Sequence, residues 1–282
     1  MNRAYGPDGQ TIPLDGSDGI TMLAGPSGRA MPEFALTTRT TLTQHGVLLE
    51  QVRVEPRTVD IPLLCAGPWA ARDQLRRLLN VLNPLRGNSR FVVDWPDGQS
   101  RELVGRIETG DVDETVANAG HQLLTLQVYC PDPFWRDAVD QQVVFVAGLP
   151  DFFPWWPWQI AGSSIIGDVQ IANDGDVEAW PVWRILGPGG PFVATRADGA
   201  TLTLDAVLGP GEQVVIDTRP PGLSSTPKSV TGPAGQNFYD RIAATDELFA
   251  IPPGIQNITI EFEDATDDSR VYLAYRRRSF TP

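Results

Sequence analysis

The stretch from Asp168 to Thr218 reads DVQIANDGDVEAWPVWRILGPGGPFVATRADGATLTLDAVLGPGEQVVIDT, and its rhythm decides the fold class. Short apolar runs alternate with turn residues. Val169 and Ile171 precede Asn173-Asp174-Gly175-Asp176, where Gly175 can supply the positive φ that a tight turn needs. Val182, Trp183, Ile185 and Leu186 form a second run, which Gly187-Pro188-Gly189-Gly190-Pro191 breaks. Phe192, Val193 and Thr195 open a third, and Ala197-Asp198-Gly199 turns it into Thr201-Leu202-Thr203-Leu204. Strands this short, at this spacing, predict a β-sandwich or barrel.

Downstream the pattern continues. Arg219 to Gly235 is a Pro/Gly/Ser-rich loop too long for a simple hairpin. Asn257 to Glu263 alternates Ile258, Ile260 and Phe262 with Thr259, Glu261 and Glu263, as a half-buried strand does. Asp264 to Ser269 turns back into Arg270–Tyr275, which predicts a C-terminal hairpin. Arg276-Arg277-Arg278 then reads as a solvated basic tail or as a docking contact for an acidic neighbour.

Upstream, 34–42 and 46–54 read as strands. Arg57 to Cys65 alternates Val59, Ile61 and Leu63 with Thr58, Asp60 and Pro62, and the proline predicts an edge or a bulge there. One amphipathic helix of about 16 residues follows. Gly67-Pro68 opens it, Leu75, Leu78, Leu79 and Leu82 form its apolar stripe, and Asn80, Asn83 and Pro84 close it. Arg90–Trp95 and Glu102–Ile107 make a hairpin around Pro96-Asp97-Gly98. Residues 108–120 read as an acidic loop, and Gln122–Cys130 as the closing strand. Pro131-Asp132-Pro133 interrupts the pattern. The expected organisation is mainly β, with an N-terminal β domain carrying one helix at 1–132 and a C-terminal β domain at 133–282.

The totals exclude several classes. The chain of 282 residues carries a formal net charge of −13, with 16 acids against 12 bases in 1–132 and 19 against 10 in 133–282. A basic nucleic-acid surface is not expected. No stretch approaches the ~18 apolar residues of a membrane span, and no charged segment followed by an apolar one suggests a signal peptide. Two cysteines, Cys65 and Cys130, give no disulfide framework or zinc set, and read as buried thiols. Two histidines, His45 and His121, leave little for a Ser/His/Asp or Cys/His site. Asp264, Asp267 and Asp268 lack the EF-hand ligand pattern. No catalytic residue, cofactor or metal is expected, and the chain does not read as an enzyme.

The order and spacing of several short signals resemble phage distal tail proteins, also called siphovirus tail components. The matching residues are Asn173, Gly175, Asp176, Pro181, Gly187, Gly211, Glu212, Asp217 and Thr218, with an Asp132-Pro133-Phe134-Trp135 junction before them. The resemblance implies a structural virion protein at a phage tail tip. It implies a homo-oligomer, a hexameric ring whose N-terminal domains form a belt around a channel, and a C-terminal galectin-like β-sandwich. The ring would join the tail tube protein to the tip or baseplate hub protein, with the tape measure protein as a further neighbour. Assembly would take place in the host cytoplasm. An acidic surface would suit a channel through which DNA passes.

The densest aromatic cluster is Asp151-Phe152-Phe153-Pro154-Trp155-Trp156-Pro157-Trp158. Phe152, Phe153, Trp155, Trp156 and Trp158 are the candidate interface residues, since tryptophan is enriched where proteins meet. The same rings could cover a core edge or stack on sugars. A carbohydrate-binding receptor module at the tail tip is therefore the alternative, and a wall-degrading hydrolase the third. Galectin's sugar site uses a histidine, and 133–282 contains none.

Overall fold

The computed structural model describes residues 2–40, 45–66, 71–118, 121–146, 165–220, 229–244 and 246–282. They are mainly β, with several antiparallel sheets and one α-helix, Ala71–Val81. They fall into two compact units, Met1–Ala138 with Ser279–Pro282, and Val139–Arg278.

In the first unit one large sheet runs Thr11–Pro13, Arg3–Tyr5, Ser89–Asp94, Ser100–Asn118, His121–Cys130, Arg57–Ala66, Ile20–Met22. Alternation places Val59, Ile61, Leu63 and Cys65 on the buried face, opposite Val128, Leu126 and Leu124 of the neighbouring strand. Pro62 sits just beyond the stretch Leu63–Cys65 that pairs with the short Ile20–Met22 strand. Its missing N–H therefore interrupts no ladder on that side, and its carbonyl accepts from the Leu23 amide at 2.9 Å.

The helix departs from the expected leucine stripe. Its buried residues are Ala71, Gln74, Leu78 and Val81, with Leu82 buried just beyond its end. Leu79 is exposed, while Leu75 packs partly on the core. The buried face is thus a turn-by-turn series at 71, 74, 78 and 81–82, and it includes the polar Gln74. The expected Gly67-Pro68 start lies outside the described residues.

The expected acidic loop at 108–120 is instead strand as far as Asn118. Residues 106–113 continue the ladder with His121–Cys130, interrupted by a register shift between Ile107 and Thr109. A ready-made neighbour, itself fully paired with Arg57–Ala66 on its other side, supplies backbone partners that outweigh the poor strand propensity of the acids. Glu108 and Asp111 point to solvent.

Glu102 is the most deeply buried carboxylate among the described residues of this unit, at 1% exposure, with Asp137 next at 7%. Arg136 donates to it through Nε at 2.8 Å, and Arg90 approaches its other oxygen at 3.4 Å.

In the second unit two sheets enclose one core. One runs Gln141–Val146, Arg270–Tyr275, Val182–Leu186, Gln213–Asp217, Val230–Thr231. The other runs Ile165–Asn173, Gly254–Phe262, Phe192–Arg196, Thr201–Leu204. The chain switches sheets at most connections, but stays in one sheet from Phe192–Arg196 to Thr201–Leu204 and from Gln213–Asp217 to Val230–Thr231. The predicted C-terminal hairpin is corrected here: Gly254–Phe262 pairs within the four-stranded sheet and Arg270–Tyr275 within the five-stranded one. Both alternate toward the same interior, so Ile258, Ile260 and Phe262 meet Val271 and Leu273 across the core rather than along a ladder. At its centre Trp183 packs on Phe192 and Phe249, with ring centroids 5.7 and 6.3 Å away.

Candidate functional site

The signature residues of the opening stretch hold the second unit together. The Asn173 side chain donates to the Val177 carbonyl at 3.0 Å and the Ile251 carbonyl at 2.9 Å, and accepts from the Gly175 amide at 3.1 Å. One buried amide thus closes its own turn and ties it to a segment 78 residues away. Gly175 is required for space rather than for positive φ, which corrects the turn reading. A Cβ there would stand 2.6 Å from the Arg278 carbonyl oxygen and 2.9 Å from its amide nitrogen. The Asp176 amide donates to that same carbonyl at 2.8 Å. At the other end of the stretch, Asp217 holds Arg219 through bonds of 2.7 and 2.6 Å, and the Thr218 hydroxyl donates to the Pro181 carbonyl at 2.7 Å.

The basic run is neither a free tail nor an open docking contact. Arg276 pairs with Asp140 at 2.5 Å, Arg277 with Asp174 at 3.6 Å, and Arg278 with Glu178 at 3.5 Å. Asp140 and two acids of the Asn173–Glu178 turn compensate the three arginines inside this unit.

Nucleophilic and metal chemistry has no constellation among the described residues. No group of three or more His, Cys, Asp or Glu is arranged to hold a metal ion. His45 and His121 are both exposed. Cys65 pairs in register with Gln122 and Cys130 with Arg57, so eight steps of one ladder, about 27 Å, separate the thiols. A disulfide between them is out of reach. Burial raises both thiol pKa values, that of Cys130 to about 12, so the reactive thiolate is scarce at neutral pH. Neither should react with a thiol-specific reagent until the protein is unfolded. A thiol titration with and without denaturant checks this, and rapid labelling of the folded chain would contradict it.

The exposed apolar surface lies elsewhere. Among the described residues Phe34–Arg39 and Leu48–Val54 pair only with each other, as a two-stranded ribbon separate from the large sheet. The amide of Glu55 closes its base on the Glu33 carbonyl at 2.9 Å. Direct pairing of Leu36 with Val52 and of Thr38 with Leu49, around a register shift, gathers Phe34, Leu36, Leu49 and Val52 on one face. Leu36 is 60% exposed and Leu49 57%. The opposite face carries Arg39, Gln51 and Arg53, with Leu48 beside Arg39. Among the described residues no further strand pairs with either edge of the ribbon. At its root Phe34 packs on Phe280, which packs on Phe134, at centroid distances of 5.9 and 5.7 Å. A lone two-stranded ribbon is marginal in water, and a contiguous apolar face marks an interaction surface.

The sequence contained this surface as two apolar strands, but nothing in their alternation distinguished a core strand from a projecting one. The aromatic residues singled out from the sequence, Phe152, Phe153, Trp155, Trp156 and Trp158, lie outside the described residues.

Comparison with known proteins turns on the fold. No family model matches the chain, and no curated protein matches it in sequence. Solved structures do match. The crystal structure of the SPP1 Dit protein (gp 19.1), described as a paradigm of the hub adsorption apparatus in phages infecting Gram-positive bacteria, aligns with a TM-score of 0.64. It is 14% identical, and the alignment covers 98% of each chain. Two structures of the phage p2 baseplate in its activated conformation also align. The one with Ca has a TM-score of 0.58 at 10% identity, covering 100% of each chain, and the one with Sr has 0.60 at 9%, covering 99% of this chain and 98% of the other. Over almost its whole length, the chain has the fold of proteins from phage adsorption hubs and baseplates.

Proposed function

We propose that this chain is a structural component of a phage tail tip, a distal tail adaptor that joins the tail tube to the tip or baseplate hub. The observation that carries the proposal is the ribbon of Phe34–Arg39 and Leu48–Val54, with an apolar surface that the described residues leave uncovered. In a ring of identical subunits that face is buried against a second copy, and closed symmetry removes the open edges. The family resemblance gives the ring six members and makes the first unit its belt. The second unit, two sheets on one core, fits the galectin-like sandwich of the same resemblance. The tube and hub proteins are the partners this role requires, with the tape measure protein as a neighbour in the channel. The place of action is the virion, after assembly in the host cytoplasm. The fold likeness to hub and baseplate proteins supports the same reading.

The test is the double substitution Leu36→Asp and Val52→Asp. The unmodified protein should give a closed oligomer near six times 30.8 kDa by light scattering. The variant should stay monomeric with an unchanged melting temperature, because neither side chain belongs to a core cluster. An unmodified protein that remains monomeric at every concentration, or a variant that still closes, would sink the ribbon's role.

A further inference from the structure

The four-stranded sheet of the second unit has an outward face shaped unlike an ordinary solvated one. A cleft of about 590 Å³ opens on it, lined chiefly by Asp168, Gln170, Thr195, Arg196, Asn257 and Thr259. Register assembles the floor. Asp168 lies opposite Thr259, and Thr259 lies opposite Thr195 on the next strand, so three polar side chains form a row across three strands. Gln170 opposite Asn257 forms a parallel row of two amides. Solvated sheet faces are usually covered by long charged side chains. Here the neighbours at the rim are Ala197 and Gly199, and their small size leaves the depression open.

The hydrogen-bonding groups are unspent. Asp168 accepts from the Thr259 hydroxyl through Oδ1 only, which leaves Oδ2 available. The side chains of Gln170, Asn257 and Thr195 make no hydrogen bond within the described chain. Each amide offers two donors and an acceptor, and the threonine hydroxyl offers one of each. The charge is also defined. Arg196, the cation of the cleft, is occupied by Asp198 through Nε at 2.8 Å and Nη2 at 2.6 Å, and by the Ala250 carbonyl. The uncompensated charge left at the floor is the carboxylate of Asp168, which disfavours phosphate and carboxylate ligands. A register shift lies immediately before Asp168, between Ile165 and Gly167, where Gly167 takes φ +136°. Such bulges re-aim the side chain that follows them and recur beside binding sites.

We propose that this cleft binds a neutral saccharide. Adjacent ring hydroxyls both donate and accept, which matches a carboxylate flanked by two amides and two hydroxyls at the ~4.8 Å spacing of neighbouring strands. The proposal stands apart from the ribbon and from ring assembly, because none of its residues belongs to the first unit.

The experiment is calorimetry and side-chain amide NMR on the full chain with three probes: lactose, maltose and N,N′-diacetylchitobiose. Binding of at least one, with shifts in the Gln170 and Asn257 amide resonances, is the expected result. Asn257→Ala and Asp168→Ala should each weaken that binding about tenfold, the loss of one or two good hydrogen bonds. Both positions are exposed, so folding is spared, and circular dichroism verifies it. Thr195→Val, nearly the same in volume, should weaken binding in the same direction. If none of the probes moves those amides, or if the three variants bind as tightly as the unmodified protein, the assignment is overturned.

Discussion

Trp183→Ala is expected to cost about 3–5 kcal/mol, the range for deleting a fully buried large aromatic side chain. Trp183 has no exposed surface and touches the rings of Phe192 and Phe249, which come from two other stretches of the second unit. Phe192 continues to Phe262 at 6.3 Å, so the indole anchors a chain of aromatic contacts spanning both sheets. No single neighbour can relax into the cavity its removal leaves. The two units each have their own core, so denaturation need not be a single transition. The effect should appear as a lower guanidinium midpoint for the transition that carries the second unit, with the other transition in place. A Trp183→Ala protein with both midpoints unchanged would show that this packing is not what stabilises the unit. Trp183→Phe should lose less. The indole Nε1 donor has no partner in the described chain, and phenylalanine removes that unsatisfied group along with the area.

The second large effect is expected at Arg136. Glu102 lies in the interior of the first unit with Arg136 at 2.8 Å and Arg90 at 3.4 Å. Arg136→Ala removes the nearer guanidinium and leaves a desolvated carboxylate facing the more exposed and more distant Arg90. Breaking one side of a buried pair costs about 3–5 kcal/mol, mostly the penalty on the charge left behind. Removing both charges should cost less than removing one. The double variant Glu102→Leu, Arg136→Leu should therefore recover much of the loss. Thermal denaturation of the single and double variants measures it. A double variant worse than Arg136→Ala alone would mean that the pair contributes net stability rather than merely avoiding a penalty.

Local chemistry made the strands legible. Gly, Pro, Asn and Asp at fixed offsets marked the turns, and alternation marked the inward residues Val59, Ile61 and Leu63 of one strand and Ile258, Ile260 and Phe262 of another correctly. Pairing was legible across a tight turn, as in the hairpin of Ser89–Asp94 with Ser100–Gly105 around Pro96-Asp97-Gly98, but not at long range, where it depends on which distant segment completes a ladder. Arg270–Tyr275 follows Gly254–Phe262 after a short turn, yet the two lie in different sheets. Their apolar faces are satisfied equally well by opposing each other across a core. The acidic segment at 108–118 fails for the complementary reason: a long paired neighbour overrides the propensity of its residues. The strands Phe34–Arg39 and Leu48–Val54 read in sequence like core strands, and their exposed face shows only in the structure, where among the described residues no further strand joins them. The motif residues Asn173, Gly175 and Asp176 were recognisable as a set, but their reason was not. Gly175 is fixed by the backbone of Arg278, about a hundred positions later.

The assignment of Ser279–Pro282 to the first unit has a topological meaning. The chain leaves that unit after Ala138 and re-enters it at Ser279, and Arg57 and Arg101 bind the returning carbonyls of Phe280 and Thr281. The segment 139–278 is thus a cassette spliced into another module. The rings of Phe134 and Phe280 touch, which places the exit and the return of the host module side by side. A short bridge at that point could stand in for the entire insert. Evolution can therefore lengthen, exchange or discard the inserted module by recombination at two neighbouring points, while the host module keeps its strand order and its projecting ribbon. One covalent crossing also survives a cut in the other, so a nick at either junction does not separate the modules.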